Sequence, residues 1–282
     1  MSFFYLISII LGVAFQNIIK KPFTQKTSGK GVYFFSLLMS LAAMLFFIIT
    51  SGSFEWNTGL ILYAVLFALS YATATVSSVA AVAYGSLSLT ALIISYSLML
   101  PTVYGLIFLK DPIGFGLIPG LVFLIISLFL TNQKSSDSSL RFQWIICVIL
   151  AFIGNGMCSV IQKMQQIAFD GAYKSEFMVL SLAIVAGFLS ILVLIKERKD
   201  IKMLAKSGWH LALVCGVLNG IVNLFVMILS NRMPLSLMFP MISAGGIIIT
   251  YIVSKFVYKE KLAKTQFIGF ILGLVAVVFL NI

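Results

Sequence analysis

Asn219 and Asn223 stand four residues apart in "NGIVN", a spacing that stacks both carboxamides on one face of a helix. Each amide offers donors and an acceptor, so the pair can hold a polar solute or tie neighbouring helices together, and the spacing leaves both roles open. "SYS" at 95–97 places the hydroxyls of Ser95 and Ser97 around the Tyr96 ring. Asn155 stands in "GNGMCS", and Tyr71 lies one turn before Thr75 in "SYATATVSS". This is the chemistry of recognition rather than of bond breaking. The single histidine, His210, has no nucleophile or paired acid spaced to act with it. Cys147, Cys158 and Cys215 lack metal-ligand or redox spacing, and no Gly-Lys-Ser/Thr phosphate loop occurs. The candidate solute-binding residues are Tyr71, Ser95, Tyr96, Asn155, Asn219 and Asn223; no catalytic residue, cofactor or metal is expected, and the chain is not expected to be an enzyme.

The elements that must position these residues are set by composition. Of the 282 residues 61% are hydrophobic and only 10% charged, and the mean hydropathy is +1.12, which describes an integral membrane protein. Ten apolar runs fall at 2–19, 31–50, 59–82, 87–108, 113–131, 143–163, 175–195, 208–230, 235–257 and 264–281. Each is long enough as a helix to cross a hydrocarbon layer of about 30 Å. Stretches such as "GLVFLIISLFL" are apolar all round rather than alternating, so the fold class is all-α with ten transmembrane helices and no barrel.

The net charge of +11 lacks the basic face with interleaved readers that nucleic acid requires, because the charges read as loop residues. Alternate connections, beginning with Lys20, Lys21, Lys26 and Lys30, hold fifteen of the 19 basic residues; the opposite set holds Lys110, Lys163, Lys174 and Arg232. That bias places both termini outside the cytoplasm. The lysine-rich composition suits a bacterial plasma membrane. The lipid bilayer and a small-molecule substrate are the expected partners, with monomer and homodimer both open.

Sliding the chain against itself by 149 residues lays "FLKDPI" (108–113) over "VYKEKL" (257–262), with Lys110 on Lys259 and Asp111 on Glu260. Gly59 then falls on Gly208 and Gly120 on Gly269 without a gap. Near an offset of 142, Lys21 falls on Lys163 and the first two runs lie over the sixth and seventh. The chain thus divides into 1–135 and 140–282, two five-helix repeats. An odd number of helices per repeat inverts the second relative to the first, an architecture of secondary transporters. The Lys-acid pairs then mark tight turns at the water interface, where charge is tolerated.

Ten runs, two five-helix repeats, and the ending "YKEKLAKTQFIGFILGLVAVVFL" resemble the drug/metabolite transporter superfamily, especially its EamA-like members. Glu260 with Gly269 and Gly273, Asp111 with Gly120, and Pro240 occupy that family's motif positions. The resemblance implies a central cavity ringed by the first, third, fourth, sixth, eighth and ninth helices, with the fifth and tenth peripheral. It also implies alternating access to a small substrate. No carboxylate falls near the middle of any run, unlike the first-helix glutamate of small multidrug exporters, which favours neutral or zwitterionic metabolites such as amino acids. Multidrug or cationic efflux, and a non-transporting scaffold or lipid-handling role, stay open.

Smaller features follow. Gln16, Asn17 and Asn155 can line a vestibule, Pro101 should bend the fourth helix, and Gly216 and Gly220 suit close packing. Trp56, Trp144, Trp209 and His210 read as interfacial anchors.

Overall fold

A computed structural model of the chain describes residues 2–279 except 53, 86, 112–113, 117–118, 121, 124–125, 128–129, 131–137 and 260–263. Its elements are α1 (Ser2–Lys26), α2 (Val32–Thr50), α3 (Leu60–Tyr84), α4 (Leu87–Ser95), a 3-10 turn (Tyr96–Leu98), α5 (Met99–Phe108), α6 (Ser138–Ala168), α7 (Lys174–Leu192), α8 (Ile201–Ser230), α9 (Leu235–Phe256) and α10 (Lys264–Phe279). Among the described residues there is no strand, and eight helices are long and apolar enough to cross a membrane. Ile49, Leu69, Phe188 and Ile195 are exposed on their outer faces, a surface that belongs in lipid. About half of the expected fifth helix (113–131) lies outside the described residues, and so does Glu260. The residues described between 119 and 130 are helical.

Nine of the expected runs coincide with helices, and the departures have local causes. Helix α1 continues seven residues past the expected end at 19, carrying Lys20 inside the helix instead of into a loop. Pro22 within it has no N–H for the Ile18 carbonyl, and Tyr258 Oη donates to that oxygen at 3.2 Å instead. The fourth run is broken by the 3-10 turn just ahead of Pro101, whose ring excludes ordinary helical geometry at Ser97. Trp144 is buried rather than interfacial, its Nε1 donating to Thr90 Oγ1 at 2.9 Å; Trp56 and Trp209 are exposed.

Two helices begin at residues that cannot cap them. Gly31, before α2, has no side chain, and Pro234, before α9, has no polar one. A carboxylate from far along the chain supplies each cap. Glu197 accepts from Tyr33 N at 3.1 Å and Phe34 N at 2.8 Å, brought there by the widened π-type turn Val193–Glu197 that ends α7. Asp111 accepts from Leu235 N at 3.0 Å and Ser236 N at 3.3 Å. Both clasps join residues before 112 to residues after 196, and both satisfy amides that would otherwise be orphaned. Glu197→Ala is expected to lower stability by about 1–2 kcal/mol, read as a lower thermal midpoint in detergent, whereas Lys30→Ala, which removes only the exposed ion pair to Asp200 at 3.7 Å, should change it little.

The turns carry a periodic signature. Positive φ occurs at Ser28, Gly29 and Gly31 and again at Asp170, Gly171 and Tyr173, each 142 residues later. It also occurs at Lys110 and at Lys259, 149 residues later. The φ values of Lys110 and Lys259 are 55° and 52°.

Candidate functional site

Helices α1, α3, α4, α6, α8 and α9 enclose a cavity of about 140 Å³, with Met39 of α2 reaching its edge. Tyr71, Asn155 and Asn219 each lie within one residue of the middle of the spans Leu60–Tyr84, Phe142–Ala168 and Gly208–Ser230, so the cavity is at mid-depth.

Its wall is a connected amide network. Asn219 Oδ1 accepts from Tyr71 Oη at 2.8 Å and from Asn223 Nδ2 at 2.9 Å, while Asn219 Nδ2 donates to Gln16 Oε1 at 2.9 Å. Gln162 Nε2 donates to Asn223 Oδ1 at 2.7 Å. Four helices, α1, α3, α6 and α8, are thereby joined through two asparagines on one helical face. The glue and cavity-lining roles left open by their spacing are both occupied. Asn155 Nδ2 donates to Ser97 Oγ at 2.7 Å, and Ser243 Oγ donates to the Ser95 carbonyl at 2.9 Å beside the 3-10 turn. The hydroxyls of α3 mostly bond back along their own helix, as Thr75 Oγ1 does to the Tyr71 carbonyl at 2.6 Å.

Tyr71, Ser95, Asn155, Asn219 and Asn223 line this cavity; Tyr96 does not. One residue beyond Ser95 in a tightly wound turn, the Tyr96 side chain points to the opposite side, into a cluster with Leu92, Phe270 and Ala276. Ser127 Oγ donates to the Gly269 carbonyl at 2.6 Å, so the Tyr96 hydroxyl is the donor in its 2.7 Å bond to Ser127. A side chain at Gly273 would collide with that hydroxyl. Gly245 and Gly246 of α9 pack against Ile10 and Val13 of α1. Tyr96→Phe should therefore lower the thermal midpoint by removing a buried bond, about 1 kcal/mol.

The cavity wall also carries a cation that hydropathy alone assigns to a loop. Lys20 lines the cavity at 8% exposure, donating to Ser78 Oγ at 3.1 Å and Asn17 Oδ1 at 3.4 Å. The signal was present: Ile9, Val13, Gln16, Asn17 and Lys20 share one helical face. Gln162, Ser159 and Ser243 also line the cavity. Helices α3 and α6 run antiparallel, since a side chain at Gly85 would meet Trp144, one at Gly154 would meet Ser70, and one at Gly59 would meet Phe169. Lys20, on Ser78, thus marks the end of the cavity toward the α3 C-terminus, and Gln162 marks the other. Among the described residues no acidic side chain lines the cavity, and no group of three or more His, Cys, Asp or Glu could hold a metal.

The model of the EamA-like transporter family matches residues 142–282, half of the chain. The chain belongs to the EamA-like transporter family. Comparison with curated proteins gives no significant match. A solved crystal structure of a protein, 8% identical, is similar over 96% of each chain with a TM-score of 0.64, a likeness of fold. With eight apolar helices long enough to span a membrane among its described residues, this family member is a multi-pass membrane protein.

Proposed function

We propose that this EamA-like protein is a secondary transporter of small polar metabolites, working in the plasma membrane by alternating access between two inverted halves, 1–135 and 140–282, with both termini extracytoplasmic. The observation that carries the reading is the mid-depth cavity lined by amides and hydroxyls from both halves, with Lys20 the one charged side chain among the described lining residues. Several regularities support the repeat. Cavity-lining positions 13, 16 and 20 recur as 155, 158 and 162, and positions 71, 74, 75 and 78 recur as 219, 222, 223 and 226. Tyr71 bonds Asn219, and Ser243 bonds Ser95, each pair separated by 148 residues, within one residue of the 149-residue offset that relates these parts of the sequence. The recurring positive-φ turns agree.

Size favours metabolites over drugs. An apolar cavity of about 150 Å³ holds benzene, so 140 Å³ suits a compact solute rather than a bulky cationic drug. The test is counterflow of labelled short amino acids, hydroxy acids and small neutral solutes in liposomes containing the purified protein. Saturable flux absent from empty liposomes is expected. Absence of flux for every solute, with no protection of a pump-deficient host against drugs, would favour a scaffold.

A further inference from the structure

We propose that Lys20 is the recognition point for a compact solute bearing a carboxylate, which seats its anionic end on the ammonium. This deepens the transport reading and rests on it only in placing a solute in the cavity. A lysine ammonium has three donors, and Lys20 Nζ gives two of them to neutral oxygens, Ser78 Oγ and Asn17 Oδ1. Among the described residues no acidic side chain pairs with it. An ionised group taken from water without a counter-charge is costly and is kept inside membranes chiefly where it has work to do. Lys20 is part of the cavity wall, so a solute held in the cavity lies within reach of its ammonium.

The two ends of the cavity differ in a way that orients the solute. Position 20 recurs 142 residues later as Gln162, which is bonded to Asn223 at the opposite end. One end is therefore cationic and the other presents carboxamides. A molecule with a carboxylate at one end and a hydroxyl, amine or amide at the other matches both. A cation finds no acidic side chain there among the described residues. The single charge suits a monoanion rather than a phosphate dianion.

The experiment measures thermal stabilisation of the purified full chain by matched pairs that differ only in the anionic group: lactate against lactamide, and alanine against alaninamide. A phosphate monoester and a quaternary amine complete the panel. Each acid should bind at least about tenfold more tightly than its amide, a difference of about 1.4 kcal/mol. Lys20→Met should reduce that preference to within about twofold of parity and raise the midpoint of the unliganded protein, because a buried charge has been removed. Lys20→Gln, which installs the side chain found at the recurring position, repeats the test if Met disturbs folding. Equal binding of acid and amide, an acid preference that survives both substitutions, stronger binding of the phosphate monoester, or no binding by either acid would overturn the proposal. Flux is scored separately. Lys20-dependent binding without flux removes the transport reading and leaves this site, whereas flux of neutral solutes without acid preference does the reverse.

Discussion

Asn219→Leu should abolish flux, lowering it by at least about tenfold, while the protein still folds. The side chains are close in size, so the substitution changes hydrogen bonding far more than volume. Three bonds disappear together: those from Tyr71 Oη, from Asn223 Nδ2 and to Gln16 Oε1. Interhelical bonds in membranes contribute about 0.6 kcal/mol each on average, so the fold loses roughly 2 kcal/mol by that measure. The cavity loses more. Tyr71 and Gln16 are left with polar groups facing an apolar side chain, and Asn223 loses its side-chain partner on the same face. A solute that exchanges its water for this amide network then meets an apolar surface instead, and the unpaired groups oppose its binding. Normal flux by a folded Asn219→Leu protein would show that the network is only structural. Tyr96→Phe is the matched comparison, since Tyr96 has the same candidate chemistry in the sequence yet bonds Ser127 away from the cavity.

The contrast between these two residues shows what the sequence could reveal. Apolar run length locates helices because lipid admits little else, and nine of the runs coincide with described helices. The spacing of Asn219 and Asn223 states that they share a face, and a polar face inside lipid must turn toward protein or water. Facing direction at Tyr96 depended on a 3-10 turn that composition does not encode, although Pro101 hinted at a disturbance. Lys20 was missed for a different reason. Hydropathy assigns a lysine to water by its type, whereas this one is enclosed by the Asn17 and Ser78 oxygens in the wall between α1 and α3. The caps at Glu197 and Asp111 were equally hidden, since each acts on a helix more than a hundred residues away. The acid of the "FLKDPI" turn was legible as an interfacial charge, but its role in starting α9 was not.

Gly154→Val should produce a large loss of stability, and the reason is the absence of anything that can yield. A methyl carbon at Gly154 would stand 2.7 Å from the Ser70 carbonyl oxygen and 2.8 Å from the Ala74 nitrogen, both backbone atoms of α3. Small residues are used at such crossings because, within lipid, helices are held by close packing and hydrogen bonds rather than by expulsion of water. Gly156 is equally close to the Ser97 carbonyl on its other side, where a side-chain carbon would stand 2.6 Å away, so α6 cannot shift from α3 without pressing on the 3-10 turn. Overpacking of this kind costs typically about 1–3 kcal/mol even where neighbours can adjust. Between two backbones the expected loss is at or above the upper value. The damage would also reach the cavity, because Asn155 lies between these two glycines and its bond to Ser97 fixes that wall. Gly187→Ala is the control: a side chain there would meet no atom within 4 Å. The expected result is a sharply lower yield and thermal midpoint for Gly154→Val, with Gly187→Ala unchanged. A Gly154→Val protein of wild-type stability would show that α3 and α6 do not cross where the structure places them.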